Sequence, residues 1–382
     1  MGVILFLMIL DNLASLSGLN PRQKEAVLYT KGPLLIIAGA GAGKTKTITE
    51  RVLYLIASGV NPLEILAITF TNKAANEMKE RIYRGIKNYQ ETQNVPFVST
   101  FHFLGVSIIK ENSEILGLSR YFSISDQNDS KSAVRDAMKE AGICPKRFDP
   151  GKILNVISRE KGGTVTVENY YKKAGTEYFP KIVAAVWSLY EKILKKNNAL
   201  DFDDLLLKTF LLLKGHPNVL QLYEKKWKYV HIDEYQDTNN VQYEISRLLS
   251  GENKNICVVG DIDQNIYSWR GAKIQNIINF EKDYPGAKVI LLEENYRSTK
   301  TIISAANSVI IKNKFRHDKN LFTKNEDGEK ISLFTACDET DEANFVVKTV
   351  AELIGEKSVL PSKIAVLYRA NFQSRALEEA FL

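Results

Sequence analysis

Residues 38 to 45 read Ala38-Gly39-Ala40-Gly41-Ala42-Gly43-Lys44-Thr45. A loop that cradles nucleotide phosphates wants Gly, four residues, then Gly-Lys-Ser/Thr. Here Ala38 stands in place of the first Gly and the rest matches. Glycines let successive N–H groups curl around a phosphate, and a following helix adds the positive end of its dipole. In this arrangement Gly39, Ala40, Gly41, Ala42 and Gly43 supply the cradle. Lys44 reaches the β and γ phosphates of ATP, and the Thr45 hydroxyl ligates Mg²⁺. A flexible Gly/Ala loop has the same composition. The apolar run before it and the helical stretch after it favour the phosphate loop.

Such a loop needs a second carboxylate site for the metal. His231-Ile232-Asp233-Glu234 closes an apolar run from Lys228 to Ile232. Open αβ sheets bind ligands at the carboxyl ends of their strands. Asp233 is therefore the candidate Mg²⁺ carboxylate, and Glu234 the candidate base for an attacking water. Alone, Asp-Glu is a common surface pair; the phosphate loop gives it meaning. Gln264 lies in a third strand-to-loop transition, Cys257 to Gln264. It either contacts a γ-phosphate and positions water or sits in an ordinary polar loop, and spacing alone leaves both open.

These residues need a scaffold of strands that end on one edge. Leu34–Ala38, Leu63–Phe70, Phe97–Phe101, Tyr229–Ile232, Ile256–Val259 and Val289–Leu292 are short apolar runs. Helical spacing follows in Thr45–Ser58 and Asn72–Lys87. The alternation predicts an α/β fold, a parallel sheet covered on both faces. From about Gly105 to Ala199 the rhythm breaks into helical periodicity, with Ser130–Ala141 and Lys181–Lys195 as its clearest stretches. That reads as a helical insertion between two strands of the sheet. After Tyr284-Pro285-Gly286 the alternation restarts, with a helix over Thr299–Lys312 and a strand over Lys363–Tyr368.

The chain has 382 residues, 45% hydrophobic and 25% charged. At ~150 residues per domain, two to three domains are expected. The composition excludes wholesale disorder, a collagen-like chain and a multi-span membrane protein. The net charge of +6 permits a polyanionic partner without requiring one. Cys144, Cys257 and Cys337 are too far apart for a metal knuckle or redox motif, which suits a reducing compartment. Val3–Leu10 is an unbroken apolar run, far shorter than the ~20 residues that span a bilayer. No Lys or Arg precedes it and no small-x-small site follows, which argues against a signal peptide. It is either a buried leader or extra sequence upstream of the real start, with Met8 as an alternative start. A cytoplasmic protein without a membrane partner is expected.

The motifs, in order, resemble those of the UvrD/Rep/PcrA group of superfamily I DNA helicases, from about Leu19 to Leu382. Leu19-Asn20-Pro21-Arg22-Gln23 resembles the Q motif, whose glutamine reads adenine; that role falls on Gln23. The group's own phosphate loop commonly begins with Ala. Ile68–Ala75 resembles motif Ia, Ser99–His102 motif Ib, and Asp233-Glu234-Tyr235-Gln236-Asp237 motif II. Gly260–Ala272 resembles motif III, Asn295–Thr299 motif IV, and Val366–Ala380 the segment before a large second insertion. The resemblance implies a RecA-like ATP-binding domain over 11–110 and 199–284 (1A). It implies a helical insertion over 111–198 (1B) and an incomplete second RecA-like domain over 285–382 (2A).

The resemblance also implies roles. Tyr296 stacks on adenine, and Arg297 reaches the γ-phosphate across a cleft as an arginine finger. Phe70, Tyr267 and Trp269 line a single-strand path, where base stacking is worth ~1–3 kcal/mol per base. Thr71, Asn72, Lys73 and His102 are candidates for backbone-phosphate contacts. Core packing is the competing reading for Phe70, Trp269 and His102, and it stays open for His102. Lys312, Lys314, Arg316, Lys319 and Lys324 form a basic stretch, either on DNA phosphates or on a solvated face.

Two departures stand out. Lys46 occupies a position where the group often carries an adenine-stacking arginine, and an ammonium stacks less well. Ile262 replaces a frequent acid. The chain ends before any motif V or VI, so it is expected to be the front part of a larger motor. The implied activity is ATP-dependent 3′→5′ translocation on single strands and unwinding of duplex DNA. Repair or replication proteins are candidate partners. Three rivals remain: a fragment that binds ATP and DNA without productive unwinding, the helicase part of a helicase–nuclease subunit, and a small-molecule P-loop kinase. The Asp-Glu-Tyr-Gln-Asp and Trp-Arg-Gly-Ala segments argue against the kinase.

Overall fold

The computed structural model describes residues 16–87, 94–252, 254–313 and 319–382. The apolar run Val3–Leu10, Met8, Lys314 and Arg316 lie outside the described residues. The chain divides into two compact units, one through Glu326 and one from Asp327.

The first unit is built on a six-stranded parallel sheet. Helix α1 (Pro21–Leu28) leads into β1 (Leu34–Ala38), then α2 (Lys44–Ala57), β2 (Ile65–Thr69), α3 (Asn72–Lys87), β3 (Phe97–Thr100) and α4 (Phe101–Glu111). After a long excursion the chain returns through α9 (Phe202–Gly215), β6 (Tyr229–Ile232), α11 (Asn240–Leu249), β7 (Ile256–Gly260) and β8 (Lys288–Leu292). The excursion contains β4 (Ser123–Ser125), α5 (Gln127–Glu140), α6 (Pro150–Gly162), α7 (Val167–Lys173), α8 (Tyr178–Lys196) and β5 (Ala199–Asp201); α10 (Pro217–Lys226) precedes β6. The strand order is β3-β2-β6-β7-β1-β8. β8 begins beyond residue 285, yet pairs with β1 from Leu34↔Lys288 to Ala38↔Leu292.

Alternation along each strand feeds two cores. Leu35, Ile37, Leu66, Ile68, Val230, Ile232, Ile256 and Val258 meet Leu104, Ile108, Phe210 and Ile245 on one face. Leu34, Ile36, Ile65, Ala67, Val259 and Ile290 meet Ile48, Val52, Met78 and Ile82 on the other. Both faces are apolar because both are covered by helices, so the strands read as continuous apolar runs.

The excursion has its own core, in which Val134, Met138, Ile153, Ile157, Val183 and Trp187 are buried together. Its entry and exit are joined by β4 and β5, which pair in parallel. The sequence reading did not anticipate these two strands. Ser-Ile-Ser and Ala-Leu-Asp are too short and too polar to show a period of two.

The last helix of the first unit is α12 (Lys300–Ile310). In the second unit, α13 (Glu339–Gly355) and α14 (Ser374–Phe381) pack on each other. The expected strand over Lys363–Tyr368 is corrected. Ile364 has extended backbone, φ −109° and ψ 134°, but among the described residues the segment joins no sheet. Extended chain becomes a strand only when a neighbour takes up its N–H and C=O groups. Leu333 and Leu367 are more than nine-tenths exposed, at 93% and 92%.

Candidate functional site

Every candidate from the phosphate loop and motif II sits at the carboxyl edge of the sheet. The loop after β1 turns through left-handed glycines, Gly41 at φ 68° and Gly43 at φ 80°. Gly43 caps α2 with no side-chain hydrogen bond, so the first N–H groups of that helix face the loop uncapped. A Cβ on Gly43 would lie 2.7 Å from Gln23 Nε2.

Lys44 and Thr45, the first residues of α2, reach across to β6. Lys44 Nζ donates to Glu234 Oε2 at 3.1 Å and to Gln264 Oε1 at 3.3 Å. Thr45 Oγ1 donates to Asp233 Oδ2 at 3.0 Å. Glu234 is held at φ 52°, a left-handed conformation rare outside glycine, and its N–H donates to Asp233 Oδ1 at 3.0 Å. Burial, then the charge of Glu234, pushes Asp233 up to about 6. The same two causes push Asp237 up to about 6. A carboxylate costly to ionise beside a hydroxyl suits a site completed by a cation. Among the described residues no group of three His, Cys, Asp or Glu side chains could hold a metal. A Mg²⁺ held through one or two protein ligands plus phosphate oxygens and water needs no such cage. Thr45 and Asp233 fit that donor set.

Gln23 is 2% exposed. Its Oε1 accepts from the Asn20 N–H at 3.1 Å and its Nε2 donates to the Ala42 carbonyl at 3.0 Å. It thus braces the phosphate loop from α1. Lys46 Nζ donates to the Gly18 carbonyl at 2.7 Å. Beyond β8, the Tyr296 N–H donates to the Gly41 carbonyl at 3.0 Å, and Asn295 Nδ2 to the Ala40 carbonyl at 2.6 Å. The Tyr296 hydroxyl accepts from Asn20 Nδ2 at 2.8 Å. Arg297 follows on the surface, its Cβ 2.9 Å from where a Cβ on Gly41 would stand. Gln23, Gly39 to Lys46, Asp233, Glu234, Gln264, Tyr296 and Arg297 are therefore neighbours.

The aromatic candidates form a tract beside them. Phe70 directly follows β2 and packs, tilted, on Tyr267 with ring centroids 4.9 Å apart. Tyr267 is followed by Trp269 at 6.4 Å, and Trp269 is 68% exposed. Thr71, Asn72 and Lys73 are exposed at the start of α3. Asn72 Oδ1 accepts from Thr100 Oγ1 at 3.4 Å, linking the start of α3 to the end of β3. His102 lies apart from the tract, edge-on against Phe202 at 5.4 Å. Burial lowers its pKa to about 4, so the ring is neutral and offers no ionic contact at neutral pH.

Several participants were missed. Gln236 links the centre, donating to Glu234 Oε2 at 2.8 Å and accepting the Asp261 N–H at 2.9 Å. Asn20 and Asn295 hold the two edges; both stand in the motif segments Leu19–Gln23 and Asn295–Thr299, where the residue pattern assigned neither a role of its own. The basic stretch is corrected in part. Lys319 is buried against Asp261 and Asp263, on neither DNA phosphates nor a solvated face. Lys312 is exposed, and Lys324 pairs with Glu294 from a largely exposed position.

The model described as the UvrD/REP helicase N-terminal domain matches residues 19–285, and that of the UvrD-like helicase C-terminal domain matches 290–382. The chain is similar to the ATP-dependent DNA helicase PcrA of Staphylococcus aureus (strain Mu50 / ATCC 700699), 48% identical over 97% of this chain and 50% of that protein. It is likewise 48% identical to PcrA of Bacillus subtilis (strain 168), over 96% of this chain and 49% of that protein. The chain spans about half the length of the curated relatives it matches. The matches run through the residues that build the site, from Gln23 to Arg297, and the chain belongs to the UvrD-like helicase family.

Proposed function

We propose that the chain carries the ATP-driven part of a 3′→5′ DNA translocase that unwinds duplex DNA. One observation carries the reading. A single loop, Asp261 to Trp269, holds Gln264 against Lys44 at one end and the half-buried Tyr267 and exposed Trp269 at the other. A ligand at the phosphate loop and a strand on the aromatics would act on the same few residues.

In this mechanism the uncapped start of α2, the left-handed glycines and Lys44 receive the β and γ phosphates. Mg²⁺, held by Thr45 and Asp233, would neutralise charge that develops between those phosphates. Glu234 accepts a proton as water attacks the γ-phosphorus and ADP leaves. Gln264 reports the state of the γ-phosphate, and Arg297 meets its charge. Lys44 is at present shared between Glu234 and Gln264, so its transfer to a phosphate frees both groups. Tyr296 and Gln23 take the adenine side, with Lys46 at its margin. Bases stack on Phe70, Tyr267 and Trp269, and stacking accepts every sequence. Thr71, Asn72 and Lys73 hold the sugar-phosphate chain.

The proposed organisation is a RecA-like domain with a helical insertion, followed by the start of a second αβ domain. The relatives' printed names give an ATP-dependent DNA helicase, which supports action on DNA; cytoplasmic work in DNA repair, replication or recombination, on single-stranded and duplex DNA, is part of this proposal. Among the described residues no helix is long and apolar enough to cross a membrane. A second reading is a chain that binds ATP and DNA with little turnover. It is favoured by the second unit, where Ala343 is the one buried residue among those described.

ATP hydrolysis with and without single-stranded DNA, beside Glu234→Gln, tests both. Stimulation by DNA that is lost in E234Q supports the motor. Binding of both ligands without stimulated turnover supports the second reading. No effect of DNA on binding or turnover sinks the DNA assignment.

A further inference from the structure

Lys319 is a buried lysine outside the phosphate loop. Its side chain is 4% exposed, and Nζ contacts Asp261 and, at 3.0 Å, Asp263. An ammonium is buried only when carboxylates repay its lost hydration. Both carboxylates belong to the loop after β7. Asp261 also accepts from Gln264 Nε2 at 2.5 Å, while its own N–H donates to Gln236 Oε1. Gln264 faces Lys44, and Gln236 donates to Glu234. One cation thus anchors the carboxylate that orients Gln264, while the backbone N–H of the same residue orients Gln236.

The segment carrying Lys319 is itself fixed to the nucleotide side. The Asn320 N–H donates to Glu293 Oε1 at 2.7 Å, and the Asn295 N–H to the Phe322 carbonyl at 2.7 Å. The Leu321 side chain fills the space a Cβ on Gly39 would take.

We propose that Lys319 is a positioning residue that makes nucleotide binding and single-strand binding depend on each other, by locking Asp261 and through it Gln264. The proposal rests on the nucleotide-and-DNA reading above. When Lys44 moves to a phosphate, Gln264 loses its partner on that side and keeps Asp261. A fixed Asp261 then passes the change along the loop to Tyr267 and Trp269. Without Lys319, Asp261 and Asp263 are two unneutralised neighbours, and Gln264 has no rigid reference.

The test is the affinity of the full chain for a labelled oligo-dT, by anisotropy, with and without Mg²⁺ and a non-hydrolysable ATP analogue. In the wild type the analogue changes that affinity at least ~5-fold, the lower end of usual linkage between sites. Lys319→Met brings the ratio to one while each ligand still binds alone. Asp261→Asn, which removes the charge and keeps the shape, does the same and covers the case of a poorly folded K319M. A ratio retained in either folded variant overturns the proposal and leaves the functional reading standing. Loss of both single affinities with the ratio intact identifies a packing role and also overturns it. A wild-type ratio of one, with both ligands bound, overturns it because there is no linkage to carry. A wild-type chain that binds neither ligand overturns the functional reading itself.

Discussion

The Thr45 hydroxyl donates to Asp233 Oδ2 at 3.0 Å, joining the first turn of the phosphate-loop helix to the end of a central strand. That carboxylate is pushed from an ordinary 3.8 up to about 6, first by burial and then by Glu234. The folded chain therefore holds this proton more tightly than the unfolded chain does. Stability attributable to Asp233 is greatest at low pH and falls as pH rises through about 4 to 6. Asp233→Asn should raise the melting temperature at pH 7.5, with a gain on the order of 1–3 kcal/mol. An asparagine can still accept the Glu234 N–H and donate to Thr45. The gain should vanish near pH 4, where the wild-type carboxyl is already protonated. Mg²⁺ should stabilise the wild type and not the variant. An equal Mg²⁺ response in both would remove Asp233 from the metal site.

Gly43 combines φ 80° with a Cβ position 2.7 Å from Gln23 Nε2. Gly43→Ala should cost ~1–2 kcal/mol from the left-handed backbone alone. It should also push Gln23 off the Ala42 carbonyl. Titration with a fluorescent ATP analogue should show weakened binding beyond what the lower melting temperature explains. Unchanged nucleotide affinity would mean that the loop is not the cradle.

Trp269 presents an exposed indole next to Tyr267. Trp269→Ala should weaken single-strand binding by ~1–3 kcal/mol, equally for oligo-dT, oligo-dA and mixed sequence. The salt dependence should stay as it was, because no phosphate contact is removed. A loss confined to one base would contradict stacking, and a changed salt slope would place Trp269 beside the backbone.

Much of this is legible in the sequence alone. β1, β6 and the helix Asn72–Lys87 fall where the apolar runs and helical spacing put them. Strands covered on both faces leave an unbroken apolar signal. The phosphate loop was equally plain, since glycines at left-handed positions have few substitutes. Lys319 was not legible. It follows Lys312, Lys314 and Arg316 in a basic stretch, and its partners Asp261 and Asp263 are more than fifty residues away. Composition reports a charge; only the fold reports what it faces. Lys363–Tyr368 failed differently. Its residues favour extended chain, but a strand is a property of two segments, and periodicity sees one.

Among the described residues Lys161 is a second buried ammonium, and it tests how the helical insertion is held. From the end of α6 it donates to Asp201 Oδ2 at 2.7 Å and Asp204 Oδ1 at 2.9 Å, at the start of α9. The Tyr190 hydroxyl, from α8, donates to Asp201 at 2.8 Å. Burial alone would pull the lysine down, and Asp204 and Asp201 outweigh it, so it stays charged. Lys161→Met should cost ~3–5 kcal/mol, because two buried carboxylates lose their cation. The triple change Lys161→Met, Asp201→Asn, Asp204→Asn should recover most of that loss, since no uncompensated charge remains. Urea unfolding of the three proteins measures both effects. If K161M and the triple variant are equally unstable, packing of the lysine stem, and not charge balance, ties the insertion to α9.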